Sequence, residues 1–338
     1  MWLLLNEYMP ITLMISVIVP AYNSGKTIEG CLKSLLNQDY KGKYEIIVAD
    51  DGSTDGTEEI VRKFPKSKVR LIKLPHRGPA AARNGGAKSA KGDILLFTDA
   101  DCIADRSWLA EMLRPFPGKN IAGVQGAYKT KQKSLMARLA QLEIEERYKR
   151  LLKSESIDWV GSYSAGYRKK IFLAFRGFNE GYTTASGEDP DLSYKMAKAG
   201  HRLVFNPSAI VYHTHPSTLS KYFRQKLFRA VWRVRLYKRH REKIVAEAYT
   251  PGLLKLQIPL SYLFAFALLS LPFYNALPAM IATAALFFIT TLPLTAENLR
   301  KDRMAGLLTP FFVTVRTLAF AIGLAAGFLL LLTGRLKG

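Results

Sequence analysis

The stretch "DILLFTDADC" (93–102) runs four apolar residues, Ile94, Leu95, Leu96 and Phe97, into two carboxylates, Asp99 and Asp101, separated by one residue. A short apolar run of this length, flanked by turn residues, reads as a buried strand. Acids at the end of such a strand are costly to bury unless a positive partner meets them. The same pattern recurs upstream. "SVIVPAY" (16–22), "YEIIVAD" (44–50) and "VRLIKLP" (69–75) are further strand candidates. Between them lie helical stretches. Ile28, Cys31, Leu32, Leu35 and Leu36 recur at helical spacing after Ser24, a potential cap. "EEIVRKF" opens a second helix, and the alanine-rich Pro79–Lys91 reads as a third.

Strands and helices alternating in units of this length imply βαβ crossovers and a mainly parallel sheet with helices on both faces, a Rossmann-like α/β fold. Ligands of such sheets collect at the carboxyl ends of the strands. Here those ends carry Pro20–Asn23, Asp50–Asp55 and Asp99–Asp101. Three separate strand ends therefore present polar groups to one crevice. Two familiar phosphate sites are excluded. "SGKT" (24–27) resembles the end of a P-loop, but the glycine that loop needs falls on Pro20, which has no N–H to offer a phosphate. No Gly-x-Gly-x-x-Gly follows the first strand, so a dinucleotide-binding loop is also absent there.

Two readings of Asp99 and Asp101 compete: caps for a helix starting near Arg106, or ligands for a divalent cation. Mg²⁺ and Mn²⁺ prefer oxygen donors, and Mg²⁺ usually takes one or two carboxylates and leaves its remaining positions to water and substrate phosphates. A site of this kind holds a diphosphate. Further along, "ASGEDPDLSYKMAKAG" (185–200) places Glu188 and Asp189 at the start of a short helix that Gly200 ends. The helix dipole alone can account for acids there. "AIVYHTHP" (209–216) ends a strand with His213 and His215, expected on one face.

Taken together, "SVIVPAYN", "IIVADDGSTDGT", "ARNGGAKSAKGDILLFTDAD" and "GEDPDLSYKMAKAG" resemble the family 2 inverting glycosyltransferases, enzymes of the GT-A fold. The resemblance covers about residues 15 to 215. It implies a nucleotide-sugar donor, read here as a UDP-sugar, and Mn²⁺ or Mg²⁺ as cofactor. It places Pro20, Ala21, Tyr22 and Asp51 around the nucleobase, with Asn23 beside them. Gly78 and Arg83 fall on the segment closing over the nucleoside. Asp99 and Ala100 face the ribose or sugar, and Asp101 holds the metal with Asp99. The family's late histidine matches His213 better than His215, as a further metal ligand. Asp189 becomes the catalytic base, with Glu188 orienting the acceptor or the base and Asp191 in reserve. "WVGSYSAGYRKKIF" (159–172) looks like the sugar loop, with Ser164, Ala165 and Gly166 near the donor. Each has a plainer alternative: Tyr22 as a core residue, Asp51 as a turn residue, 159–172 as an ordinary strand and turn. For Ser53 and Asp55 the turn-and-cap role is preferred. Processive relatives carry Gln-x-x-Arg-Trp. Here Gln225 is followed by Lys-Leu-Phe-Arg, one residue too long and without the tryptophan, which argues against a polymer synthase.

The chain is 338 residues long with a net charge of +22. Its mean hydropathy is nonetheless close to zero, because apolar residues concentrate beyond Pro251. Runs 253–273, 276–294 and 307–332 approach the ~20 residues a spanning helix needs. Lys255 and Arg316 interrupt them, Arg316 facing either protein or lipid phosphate. The expected organisation is an N-terminal extension (1–13), a GT-A domain (14–220), a basic amphipathic interfacial helix region (221–250) and a transmembrane domain (251–338). The segment 221–243 has ten Lys or Arg residues. Its stripe Leu227, Ala230, Val231, Val234 and Tyr237 favours an anionic membrane surface over nucleic acid. Arg300, Lys301 and Arg303 place the connection 296–303, and with it the catalytic domain, in the cytoplasm of a multi-pass cell-membrane protein. No secretory signal is evident, and Cys31 and Cys102 read as free thiols. The expected acceptor is a lipid-linked saccharide of the polyprenyl or dolichyl type. The alternatives are a dolichyl-phosphate sugar synthase acting on the bare lipid phosphate and a non-catalytic nucleotide-sugar-binding protein.

Overall fold

A computed structural model of the chain describes residues 13–118, 120–182, 184, 186–244 and 250–335. Almost all of the expected N-terminal extension, residues 1–12, lies outside the described residues, as does 245–249 of the expected interfacial region. The chain divides into two units. One runs up to Lys131 and resumes over Tyr148–Thr214; the other comprises Gln132–Arg147 and His215 onward.

The first unit is built on a mixed sheet of eight strands among the described residues, ordered β3-β2-β1-β4-β7-β6-β8-β5. They are β1 (Ile15–Ala21), β2 (Tyr44–Asp50), β3 (Val69–Lys73), β4 (Ile94–Thr98), β5 (Ile103–Ala104), β6 (Ile121–Lys129), β7 (Ser164–Arg168) and β8 (Arg202–Tyr212). The first four are parallel, with Ile15 to Ile18 of β1 aligned on Ile94 to Phe97 of β4. β1, β2 and β4 are buried on both faces, which is why they read as continuous apolar runs rather than alternating ones, while the edge strand β3 is only partly buried. Ile15, Val17 and Val19 share a core with Cys31, Leu32 and Leu35 of α1 (Ile28–Leu36), Val61 of α2 (Thr57–Arg62), and Trp108 and Met112 of α4 (Trp108–Leu113). Ile18 faces the other way, onto α3 (Pro79–Ser89), whose Gly86 lets the helix close on the sheet: a Cβ there would stand 2.5 Å from Ile18 Cγ2. The α1 cap differs from expectation. Thr27 occupies the N-cap position without a side-chain bond, and Ser24 contributes its backbone carbonyl, accepting from Thr27 N–H and Ile28 N–H at 2.9 Å each.

The second half of the sheet determines what reaches the crevice. β7 is antiparallel to β4, pairing Thr98 with Ser164, so the residues just before β7 lie at the carboxyl end of β4. β6 is antiparallel to β7 and parallel to β8, so both β6 and β8 end on that same edge. Strand order reverses between β1 and β4, the switch point where α/β sheets take ligands. Two helices complete the unit, α6 (Lys169–Ala174) and α7 (Glu188–Lys198). Gly200 follows α7 with φ +81°.

The second unit is helical: most of α5 (Leu135–Leu151), then α8 (Leu219–Arg239), α9 (Gly252–Ser270), α10 (Leu277–Lys301) and α11 (Arg303–Leu332). The last three are long and apolar enough to cross a membrane. The expected basic connection at 296–303 is not a loop. Residues 295–301 favour helix and extend α10, and only Asp302 breaks the run, its side chain accepting from Ala305 N–H at 3.1 Å to start α11. α8 packs on α11, where Gly323 and Gly327 let the helices meet closely. A Cβ on Gly323 would lie 2.7 Å from Ala230 Cβ. The basic residues of α8 do not all point outward as expected: Lys226, Arg233 and Arg235 are buried. Arg316 faces protein, its Nη2 donating to Gln257 Oε1 at 3.3 Å.

Candidate active site

Asp99, Ala100 and Asp101 follow directly from β4. Tyr128, near the end of β6, directs its hydroxyl to Asp99 Oδ2 at 3.4 Å. His213 follows β8, with Nε2 3.3 Å from Asp101 Oδ2. Ligand atoms of Asp99, Asp101 and Cys102 fall within 4.8 Å of one another. Burial and the adjacent acids push the Cys102 thiol well up, and it donates to Asp101 Oδ1 across 3.7 Å. Mn²⁺ and Mg²⁺ prefer oxygen donors to sulfur, which leaves two carboxylates with an imidazole beside them. Burial pushes Asp101 up, but the hydrogen bond and charge of His213 outweigh it and hold the carboxyl below its usual range. This oxygen-rich donor set fits Mn²⁺ or Mg²⁺.

Arg83, on α3, sits between two groups of acids. Its Nη2 donates to Asp99 Oδ1 at 2.8 Å and its Nη1 to Glu188 Oε1 at 3.1 Å. Arg83 and Glu188 are both buried. Glu188 Oε2 accepts from Ser186 N–H and Gly187 N–H, so it also closes the amino end of α7. Asp189 is held from the turn before β7: its Oδ2 accepts from Ser162 N–H at 2.9 Å and from Ser162 Oγ at 3.2 Å. Its Oδ1 is buried with no hydrogen-bond partner among the described residues. Burial, reinforced by the charge of Glu188 and opposed by Arg83, raises Asp189 to about 7. A carboxyl in this state exchanges a proton near neutral pH.

At the β1–β2 end, Asp51 is buried and accepts from Arg77 N–H and Gly78 N–H at 2.9 Å each. Gly78 has φ +93° where the chain turns into α3, a conformation suited to glycine. Tyr22 is no core residue. It is 48% exposed and stacks on His76 with ring centroids 4.1 Å apart. Pro20 and Ala21 close β1. Asn23 adopts φ +48° and accepts from Thr54 N–H. Ser53 and Asp55 have the local roles preferred for them: Ser53 N–H donates to Asp50, and Asp55 accepts from Gly25 N–H and Thr57 N–H.

The structure also places the remaining predicted residues. Ser164, Ala165 and Gly166 belong to β7, a strand paired on both edges, and their side-chain positions lie in the core: Ser164 Oγ accepts from Trp108 Nε1 at 2.9 Å, and a Cβ on Gly166 would meet Leu96. The residue from this segment that reaches the acids is Ser162. Arg83, on the segment expected to close over the nucleoside, bridges Asp99 and Glu188. Asp191, the reserve base, is fully buried and bonded to Lys195 Nζ at 2.6 Å and to Asn179. His213 and His215 do not share a face, because β8 ends at Tyr212; His215 is buried and bonded to Gln141 Oε1. Tyr128, Ser162 and His76 were not anticipated. "GAYK" carried an aromatic at a strand end, which was the available signal for Tyr128, but only the antiparallel β7 reveals which edge it reaches.

Residues 16–174 match the model of the glycosyl transferase family 2. Glycosyltransferase AglE of Haloferax volcanii is 40% identical over 116 residues, 33% of this chain and 38% of the relative. An N-acetylglucosaminyltransferase of Azorhizobium caulinodans is 28% identical over 239 residues, 66% of this chain and 60% of the relative. The chain thus spans less than two thirds of the length of either. Among solved structures, the mannosyltransferase PcManGT of Pyrobaculum calidifontis, in complex with GDP-Man and Mn²⁺, superimposes with a TM-score of 0.62 at 24% identity, covering 93% of this chain and 86% of the other. The sheet order, the acids at its edge and the family match agree: the chain carries a family 2 glycosyltransferase domain of the GT-A fold.

Proposed function

We propose that the protein is a membrane-anchored, metal-dependent inverting glycosyltransferase that moves one sugar from a nucleotide-sugar donor to a lipid-linked acceptor at the cytoplasmic face. The observation that carries the reading is Asp189: one carboxylate oxygen anchored by Ser162, the other buried and, among the described residues, unpartnered. Capping a helix does not require that arrangement; accepting a proton does. The acceptor hydroxyl oxygen attacks the anomeric carbon while the bond to the departing diphosphate breaks, and the hydroxyl proton passes to Asp189 Oδ1. A single displacement inverts the centre without a covalent enzyme intermediate. Glu188, fixed by Arg83, orients the acceptor.

Asp99, Asp101 and His213 would hold Mn²⁺ or Mg²⁺. When bound, the ion neutralises charge developing on the diphosphate leaving group. Tyr22 offers an exposed ring for the nucleobase, and Asp51 a carboxylate to its edge. A UDP-sugar is the first donor to test and GDP-mannose the second, since the structural neighbour was solved with GDP-Man. The lipid acceptor is supported by the three apolar helices of the second unit. The bare carrier and a carrier already bearing sugars remain the two acceptors to compare.

The test is a panel of nucleotide sugars offered to the full chain in detergent with Mn²⁺ and lipid extract, followed by nucleoside diphosphate release and product mass. Release that depends on lipid, is abolished by EDTA and yields a lipid one sugar heavier supports the reading. Release without lipid, or a product insensitive to EDTA, overturns the acceptor or the metal respectively.

A further inference from the structure

Tyr128 lies outside every role given above, yet it touches two of the three groups assigned to the cation. Its hydroxyl reaches Asp99 Oδ2 at 3.4 Å. One face of its ring lies against His213, with centroids 4.8 Å apart and planes tilted by 30°. The other face stacks on Tyr163 at 3.5 Å and 14°. Its backbone N–H is anchored too, donating to Tyr148 Oη at 2.6 Å, and that hydroxyl lies 3.0 Å from Tyr163 Oη. The ring is clamped between two neighbours and anchored at its base, so it has little freedom of its own.

The sheet explains this position. β6 ends between the carboxyl ends of β4 and β8 on one edge, and those two strands deliver Asp99 and His213 respectively. A clamped aromatic at that point can fix a carboxylate through its hydroxyl and an imidazole through its face. Groups that orient ligands in this way typically change metal affinity 10–100-fold when removed.

We infer that Tyr128 is a positioning residue for the divalent cation, holding Asp99 by hydrogen bond and His213 by ring contact so that both converge with Asp101. The inference rests on the metal reading above. It divides the contribution of Tyr128 into two parts that substitution can separate. Tyr128→Phe removes the bond to Asp99 and keeps the ring. Tyr128→Leu removes the ring contact with His213 as well.

The experiment is titration of the full chain in detergent with Mn²⁺ alone, following free Mn²⁺ by electron paramagnetic resonance. Tyr128→Phe is expected to weaken Mn²⁺ about tenfold and Tyr128→Leu further, toward about a hundredfold. In an Asp99→Asn background the Tyr128→Phe effect should shrink, because the hydroxyl has lost its carboxylate; a purely structural tyrosine would show no such coupling. A second measurement needs no destabilising change. With 3-fluorotyrosine placed at 128, its fluorine resonance should broaden on adding Mn²⁺ and persist with Mg²⁺. Wild-type affinity in Tyr128→Phe, or a resonance at 128 untouched by bound Mn²⁺, would overturn the inference and leave the metal reading standing. A wild-type chain with no saturable Mn²⁺ binding would overturn both.

Discussion

The two units bury acids for opposite purposes. In the helical unit the buried acid Glu143 has its own cation, and two less buried acids are paired as well. Glu143 Oε1 accepts from Lys226 Nζ and its Oε2 from Tyr222 Oη, both at 2.6 Å. Asp302 pairs with Arg138 and Glu145 with Lys301. In the catalytic unit Arg83 is stretched across Asp99 and Glu188, and Asp189 keeps one oxygen without a hydrogen-bond partner among the described residues. Burial acts on both sites, yet the carboxyls move in opposite directions. Burial would raise Glu143, but Lys226 and Arg316 outweigh it and hold it at about 2. Asp189, with too little positive charge nearby, rises to about 7. Satisfied acids stabilise a packing arrangement, while under-compensated ones are available for a proton or a cation.

The comparison breaks most sharply on two aspartates two residues apart. Asp189→Asn should lower kcat by about 10²–10⁴-fold, the usual contribution of a general base, with nucleotide affinity retained. Asp191→Asn, which weakens the bond to Lys195, should lower the melting temperature and leave kcat largely intact. Steady-state kinetics with nucleotide titration on both variants checks the pair. Reversal of the two outcomes would mean the reserve acid is the base.

In the helical unit the corresponding change should act on stability. Lys226→Met takes the directly bonded cation from Glu143 and leaves it the Tyr222 hydroxyl, and breaking a buried pair of this kind typically costs about 3–5 kcal/mol. Replacing both partners, as Lys226→Met with Glu143→Leu, should recover most of that loss. Thermal unfolding in detergent distinguishes them. Equal destabilisation by the single and double variants would show that the pair does more than compensate its own charges.

Both pH dependences should run in the same direction, falling with acid, but in well-separated windows. Asp189 must be ionised to accept a proton, so kcat/KM should rise with pH through about 7 and fall about tenfold per unit well below it. Glu143 has a folded value of about 2 against an ordinary 4.5. Its contribution to stability is therefore complete above about 4.5 and is lost as pH falls from there toward 2. A flat rate profile between pH 5.5 and 8 would remove the raised carboxyl from the reaction.

Much of this was legible in the sequence because parallel strands announce themselves. "SVIVPAY", "YEIIVAD" and "DILLFTD" are buried on both faces, and each carries its polar residues where the strand must end. The antiparallel half was harder. "SYSAGYR" contains small residues that suit either a substrate loop or a crowded strand, and only pairing with β4 and β6 decides for the strand and moves the contact to Ser162. Charge direction was also hidden. The apolar stripe on α8, expected to meet a membrane surface, packs on α11 at Gly323 and Gly327, and helical spacing does not reveal that Lys226 finds Glu143 across a fold-dependent gap of 83 residues.

The smallest expected effect tests whether a visible ion pair belongs to the site or only to the surface. Arg77 Nη2 lies 2.8 Å from Glu180 Oε2, but its side chain is 64% exposed. Pairs of this kind usually contribute less than about 1 kcal/mol. The part of Arg77 that matters to the crevice is its backbone N–H, which holds Asp51 and survives any non-proline substitution. Arg77→Ala should therefore leave the melting temperature nearly unchanged and nucleotide affinity within about twofold, given the weakness of exposed charges in water. A tenfold loss of nucleotide affinity would instead place the guanidinium on the donor diphosphate. Arg77 would then move from the satisfied surface pairs into the group of charges awaiting a ligand.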